Sequence, residues 1–272
     1  MYRLNQMIRC FALFFLATLI AATNLAYGVV HDTSAVAARV GIGFVAGATF
    51  NTFQSSSPIS VEPGDCNCPD YELQTGEGRV LGIDLGIPLS SSEAWPWSLD
   101  VRTQYVTSQA ALYREGDSLP SLDENGEVVY SYSEWRGSVS FSTVEVAPAI
   151  LLGIGKTPLS VSLGASIGYI MESELLRTLH MIEPPNAVFD PSFCPECEYF
   201  DEGRSLVLSR GTIDGIVKWT ATAFAGVEYR LVNEDAEVVS SLRYRYGLTD
   251  VSTTYGLRVN AIEFSIAMRV FL

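Results

Sequence analysis

Apolar and polar residues alternate strictly in the last part of this chain, and this period restricts the fold more than any other feature. In "AIEFSIAMRVFL" (261–272), every second side chain from Ile262 to Leu272 is apolar. Successive side chains of a β-strand point to opposite faces, so the period predicts an amphipathic strand. Its apolar face needs cover, either from an earlier part of the chain or from a lipid membrane.

The same alternation occurs in seven further segments. Together they predict an all-β protein with eight antiparallel strands in up-and-down order. The predicted strands are 40–52, 81–89, 97–107, 139–152, 159–171, 217–231, 238–248 and 261–272. In the fourth, the apolar residues change parity between Phe141 and Val144, which predicts a β-bulge near 142–143. An even number of strands is typical of bacterial outer-membrane barrels.

The connections between these segments alternate between two sizes. Those at 90–96, 153–158 and 233–236 are short, and those at about 54–77, 109–137 and 173–215 are long. Every second connection of an up-and-down barrel lies at the same end, so all the long loops share one side. Short periplasmic turns opposite long extracellular loops are typical of transmembrane barrels of the outer membrane.

The polar faces of the predicted strands favour a narrow, filled lumen. The interior of an eight-stranded barrel has room only for side chains, and these faces are rich in Gly, Ser and Thr. They also carry charges of both signs, which must pair if they are buried. A soluble barrel, with the same charges on a solvated outer face, is the alternative. We expect a lumen ion network of Asp84, Asp100, Arg102, Glu145, Lys218, Glu228, Arg243, Arg245, Glu263 and Arg269, with Glu237 on the same face.

Aromatic residues mark the edges of the apolar faces. Trp219 and Tyr229 share one face and are ten residues apart, with no charged residue between them on that face. This spacing corresponds to about 25 Å along a tilted barrel, close to the height of a membrane belt. Amphipathic rings favour the headgroup level. The sequence therefore predicts aromatic girdles of Trp97, Tyr105, Trp219, Tyr229, Tyr244 and Tyr246, with lipid covering the apolar faces between them.

The first 28 residues predict a secretory signal peptide. Arg3 and Arg9 form a basic start, and an apolar core follows at 10–22. That core is shorter than the roughly 20 residues of a membrane-spanning helix. The remaining residues, 29–272, are predicted to be one barrel domain. A net charge of −14 argues against nucleic acid as a partner.

Four stretches carry a resemblance to a known group of proteins: "ARVGIGFVAGATF", "STVEVAPAILLGIG" with its partner "PLSVSLGASIGYIMES", and "LRVNAIEFSIAMRVFL". On these, the chain resembles small outer-membrane β-barrel proteins of Gram-negative bacteria, of the OmpA/OmpX-like and porin-family type. The resemblance implies an outer-membrane location, lipid as a partner and assistance from the barrel assembly machinery. It carries over no catalytic residue and implies a structural or surface-interaction role.

Four cysteines fall in two of the long loops: Cys66, Cys68, Cys194 and Cys197. An even number in an exported protein predicts disulfides. Pairing across the loops is favoured over pairing within C-x-C, whose ring is strained, but the sequence leaves the connectivity open. The same loops are acidic, which indicates either a solvated surface or contact with an unidentified extracellular ligand or surface partner. No cofactor or metal is expected.

Three other functions each require a feature that can be checked in the sequence. A narrow porin or uptake channel needs an open lumen. A lipid-modifying enzyme needs a base beside a nucleophile, and only His31 and His180 could serve as histidine bases. A soluble, lipocalin-like binder needs the apolar faces inside. The leading hypothesis is a non-enzymatic outer-membrane barrel that acts through its exposed loops.

Overall fold

A computed structural model describes residues 39–56, 72–73, 75–90, 96–122, 127–184, 188–190, 195 and 197–272. The expected signal peptide (1–28), His31 and three of the four cysteines (Cys66, Cys68 and Cys194) lie outside these ranges. Within them, no helix has the length and hydrophobicity needed to cross a membrane.

The described residues are almost entirely β-structure, because Val, Ile, Tyr, Phe and Thr, which favour a pleated backbone, recur at alternate positions. A single 3-10 turn (Asp201–Gly203) interrupts the strands. The strands are β1 (Gly41–Gln54), β2 (Glu72–Leu73), β3 (Gly76–Ser90), β4 (Trp97–Leu122), β5 (Val128–Gly153), β6 (Leu159–Glu183), β7 (Glu198–Phe200), β8 (Ser205–Gly211), β9 (Trp219–Val232), β10 (Ala236–Gly247) and β11 (Arg258–Phe271).

Eight of these strands close into one antiparallel ring, in the order β1, β3, β4, β5, β6, β9, β10 and β11. β11 then pairs with β1, from Gly41↔Phe271 to Gln54↔Arg258. Closure satisfies backbone groups within the ladders and leaves no open edge around the ring, as a membrane-spanning sheet requires. The predicted eight-stranded up-and-down barrel is confirmed. We call the end with the short turns the inner end and the opposite end the outer end.

The outer surface of the ring is apolar and its interior is polar. Phe44, Leu163 and Met268 expose 78%, 67% and 61% of their surface, whereas Arg102 and Arg269 are 0% and 1% exposed. A water-soluble protein has the opposite arrangement, with large apolar side chains inside. The exposed apolar belt matches a hydrocarbon layer, so the barrel spans a membrane and is not a soluble binder.

Three neighbouring strands continue well beyond the length that a membrane requires. β4 and β5 have 26 residues each and β6 has 25, while a tilted strand crosses the hydrocarbon layer in about 9–11. The predicted loop at 109–137 is therefore wrong for most of its length, because its described residues extend the β4–β5 hairpin. The predicted loop at 173–215 is also wrong in part, because β6 continues to Glu183 and pairs with β8.

We call this outer part the extension. It comprises 109–122 of β4, 128–141 of β5, 172–183 of β6, and strands β7 and β8. Beyond the belt the polarity of the faces reverses, with Leu112 and Val139 buried inside at 1% exposure each. The apolar face that marks a membrane strand in the sequence ends there, which is why these residues were predicted to be loops.

A bulge occurs at the predicted level but on the neighbouring strand. In β5 the alternation is unbroken, and Phe141 and Glu145 both point inward at 8% and 4% exposure. The pairing with β6 shifts from Ser142↔Glu172 to Thr143↔Ile170, so Met171 of β6 is the extra residue. The register break predicted near 142–143 is confirmed, but its extra residue lies on β6. The change of parity in the β5 sequence reports a lumen that turns from polar to apolar.

An apolar cluster closes the outer end of the lumen, and we call it the outer apolar cluster. Two connecting segments, 212–218 and 248–257, fold over the ring and contribute to it. They are joined by the bridge Ile216↔Ser252. The buried members are Phe53, Ala110, Leu112, Val139, Phe141, Ile170, Leu175, Ile213, Val251, Tyr255 and Leu257.

Candidate functional site

Charged side chains from six strands of the ring meet inside the barrel. Each lies at an inward position of its strand, between apolar residues that face outward, so the alternation of the sequence directs it into the lumen. The resulting ion network has three levels, which follow one another from the inner end to the outer end.

Arg269 of β11 organises the inner level. Its Nη2 lies 2.9 Å from Asp84 Oδ2, and its Nη1 lies 3.0 Å from Glu237 Oε2. It also contacts the carboxylate of Asp100. One guanidinium thus joins four strands. Arg is suited to this position because its planar group presents five donors in a fixed geometry.

Arg102 of β4 lies at the middle level and is completely buried. Its guanidinium lies 3.5 Å from Asp84, 3.5 Å from Glu263 and 3.8 Å from Glu228. It also donates hydrogen bonds of 2.9 Å to two serine hydroxyls, Ser241 and Ser265.

Arg243 of β10 completes the middle level with a contact of 2.6 Å to Glu228. Its guanidinium carbon also lies 4.9 Å from the ring centroid of Phe224. Together with the two serine hydroxyls that accept hydrogen bonds from Arg102, these contacts mean that the buried charges have both opposite charges and neutral partners.

Arg245 of β10 forms the outer level. Its Nη2 lies 2.6 Å from Glu145 Oε1 and its Nη1 lies 2.9 Å from Glu263 Oε2. Gln104 and Ser166 donate to the same Glu145 carboxylate at 2.6 and 3.1 Å. Because Glu263 contacts both Arg102 and Arg245, the middle and outer levels are one continuous network.

Two basic residues lie differently from the sequence-based expectation. Lys218 was expected in the network, but the structure places it exposed, one residue before β9 begins at Trp219. It therefore lies outside the wall of the ring. Arg230, which the prediction missed, lies at the inner end within 3.7 Å of Asp100 and Glu237. Its parity, which it shares with Glu228, was a signal that could have identified it.

The six aromatic residues all lie on the outer face of the ring. Trp97 and Tyr229 lie at its inner edge, and Tyr105, Trp219, Tyr244 and Tyr246 lie toward the outer edge. Trp219 is 62% exposed and packs edge to face against Tyr169, with ring centroids 5.2 Å apart. Such rings at both ends of an apolar belt suit the two membrane interfaces.

Of the two histidines in the sequence, the structure describes His180, which lies in the extension. Its Nδ1 is 2.6 Å from Ser205 Oγ and 3.8 Å from Asp201 Oδ2. A Ser-His-Asp relay needs the serine and the acid on opposite ring nitrogens, and Ser205 is only 1% exposed. Burial lowers the pKa of His180, and the nearby positive charge of Arg136 lowers it further. The arrangement joins β6 to β8 and does not form a catalytic relay.

Of the four cysteines, the structure describes Cys197, which is half-buried and packs against the apolar residues inside the extension. The other three candidates, Cys66, Cys68 and Cys194, lie outside the described residues. The pairing across the two loops therefore stays a prediction.

A closed eight-stranded ring, an apolar outer belt between aromatic edges and a lumen filled with paired charges define a transmembrane β-barrel of the outer-membrane type. No protein-family model matches the sequence, and no curated protein matches it.

Solved structures of small outer-membrane barrels are similar to this chain. Ail, the attachment invasion locus protein of Yersinia pestis, has 10% identity and a TM-score of 0.31 over 86% of this chain and 99% of that one. Neisserial surface protein A has 13% identity and a TM-score of 0.30 over 85% and 97%. OprG from Pseudomonas aeruginosa has 10% identity and a TM-score of 0.33 over 86% and 96%.

Proposed function

We propose that this chain is a non-enzymatic outer-membrane barrel with a sealed lumen, and that it makes contacts at the cell surface through the extension. The observation that carries the proposal is the continuation of β4, β5 and β6 as a paired sheet beyond the apolar belt. A membrane anchor alone does not need these residues, because about 9–11 per strand cross the membrane.

The extension has a core of its own, which supports its role as a binding surface. Leu179, Met181, Phe189 and Leu206 pack together inside it, with Trp135 and Tyr199 against them. A preformed surface loses less conformational entropy on binding than a flexible loop does. Its outer side carries the exposed carboxylates of Glu174 and Glu198, which share one exposed cation, Arg210, at 3.5 and 3.9 Å. The excess of negative charge in this group favours partners without strong negative charge.

The contents of the lumen argue against the narrow channel that the sequence also allowed. Arg102, Arg243 and Arg269 are each at most 2% exposed and occupy the cross-section of the ring. The outer apolar cluster adds a second obstruction beyond them. Opening a path would separate several buried ion pairs at once, and each uncompensated buried charge costs several kcal/mol.

Shortening the extension tests the proposal. Glu115 pairs with Glu134, so an Asn-Gly turn that replaces 116–133 keeps the register of the hairpin. Tyr130, which is 78% exposed, is removed with this tip. Cells displaying the full chain or the shortened chain would be compared for aggregation and for adhesion to arrays of immobilised glycans and matrix proteins. Heat-modifiable gel migration would verify that both barrels are closed.

We expect the full chain to promote adhesion or aggregation, the shortened chain to lose it, and neither to give steady conductance in planar bilayers. Equal behaviour of the two chains in every surface assay would contradict a surface contact made through the tip of the extension. Steady conductance of the full chain would favour the channel instead.

A further inference from the structure

A cavity of about 50 Å³ lies inside the barrel, between the ion network and the outer apolar cluster. The ion pair of Glu145 and Arg245 lines its inner side, and Phe141 and Val251 line its outer side. Its walls carry side-chain hydroxyl groups, including those of Ser108, Thr143 and Thr222. The cavity therefore has a mixed polar and apolar lining and lies where the lumen changes from charged to apolar.

Two polar side chains of β1 line this cavity without a hydrogen-bond partner in the described part of the chain. Asn51 is 1% exposed, and neither its Oδ1 nor its Nδ2 is bonded. Thr49 is also 1% exposed, and its Oγ1 is not bonded. An unsatisfied buried polar group is strongly unfavourable, so two such residues facing one cavity indicate an occupant that bonds to them.

The chemistry of Asn51 restricts what this occupant can be. A carboxamide presents donors on Nδ2 and an acceptor on Oδ1, so the occupant must both accept and donate hydrogen bonds. An apolar molecule would leave both atoms unsatisfied, and a bare cation would leave the donors unsatisfied. Water meets both requirements, and a buried water occupies roughly 10–15 Å³ of such space.

We propose that this cavity binds a cluster of about three or four water molecules, hydrogen-bonded to Asn51 and Thr49 and extending to the Glu145–Arg245 pair. The cluster hydrates one side of the outermost ion pair of the network. It forms a polar layer between the buried charges of the ion network and the outer apolar cluster. The apolar side chains of that cluster cannot form hydrogen bonds to those charges.

The direction in which the unfolding temperature changes in a variant of Thr49 tests this site. Thr49→Val replaces a hydroxyl by a methyl group of similar size. If water bonds the hydroxyl, the variant loses that bond, and its unfolding temperature falls by about 2–4 °C. The matched control is Ser162→Ala, because Ser162 Oγ is buried and unbonded but does not line the cavity. The control is expected to keep or raise the unfolding temperature.

A second measurement on the unmodified barrel does not depend on the folding of a variant. In deuterated detergent micelles, the side-chain amide protons of Asn51 should show nuclear Overhauser cross-peaks to long-lived water. Cross-peaks together with a fall for Thr49→Val support the site. An absence of cross-peaks, or a Thr49→Val variant that behaves like the Ser162→Ala control, overturns it.

Discussion

Arg269 donates a hydrogen bond to Asp84 across the lumen at 2.9 Å, although 185 residues separate them in the chain. The two residues lie on β11 and β3, which flank β1. Gly43 of β1 is the register partner of both. The guanidinium reaches the carboxylate over a position without a side chain, so the ion pair and the seam that closes the ring depend on each other.

Removing the charge of Arg269 should strongly destabilise the barrel. In Arg269→Met, three buried carboxylates lose a partner, among them Asp100 and Glu237. Breaking a buried pair by removing one member typically costs about 3–5 kcal/mol. Urea unfolding in lipid vesicles, followed by tryptophan fluorescence, measures the loss.

Arg136→Met is the control for this experiment. Arg136 lies 2.6 Å from Glu134, but 52% of its side chain is exposed, and such pairs contribute at most about 1 kcal/mol. Equal free energies of unfolding for the two variants would mean that the lumen network does not hold the ring together.

Gly43→Ala should prevent the ring from closing. A Cβ at this position would lie 1.8 Å from the carbonyl oxygen of Met268 and 2.7 Å from the Cα of Arg269. Both are backbone atoms of β11, so the strand pair itself would have to move. Gly211→Ala is the matched control, because a Cβ there meets no atom within 4 Å. The heat-modifiable, fast-migrating band on gels should be lost for the first variant and kept for the second.

The ring could be predicted from the sequence because one rule applies throughout it. Between the aromatic edges, outward positions are apolar and inward positions are small or charged, so parity assigns Asp84, Arg243 and Glu263 to the lumen. Parity does not indicate where a strand begins. Lys218 and Arg230 both have inward parity in β9, but only Arg230 lies within the wall.

The extension could not be predicted in the same way, because the rule changes at its boundary. Beyond the membrane, the outer face of the sheet is no longer covered by lipid, and the lumen is apolar instead of charged. Inward positions are therefore apolar there, as at Leu112 and Val139. The bulge at Met171 then changes the parity of β6 as well. In the extension the apolar residues point inward, whereas in the belt they point outward. The sequence pattern of the extension therefore does not indicate a membrane strand, although its residues pair in the same sheet.

A charge at the centre of the belt should be tolerated only if the belt faces water. Leu163 of β6 lies midway along the apolar face and is 67% exposed. In a membrane, Leu163→Arg should destabilise the barrel by about 2–4 kcal/mol, while the same change near an interface costs about 0–1 kcal/mol. Tyr246→Arg, at the outer edge, provides that comparison. Urea titrations in vesicles of defined thickness measure both, and equal stabilities would contradict a belt surrounded by lipid.

Acidic pH should loosen the contact between β6 and β8 in the extension. Burial and the charge of Arg136 hold the pKa of His180 below its usual value of about 6.5, although Asp201 opposes the shift. The unfolded segment therefore binds a proton at a higher pH than the folded one. Stability is then lost as the pH falls below about 6.5, because protonation favours the open form.

Amide hydrogen exchange measures this effect segment by segment. Between pH 7.5 and pH 5.5, exchange in 176–183 and 205–211 should accelerate beyond the intrinsic change of rate, while β10 of the ring should show no such excess. His180→Gln keeps a polar side chain but cannot be protonated, so the excess should disappear. The charges of Arg204, Glu134 and Asp201 also act on His180, and Arg stays charged across this range. An excess that persists in His180→Gln would assign the pH response to the carboxylates instead.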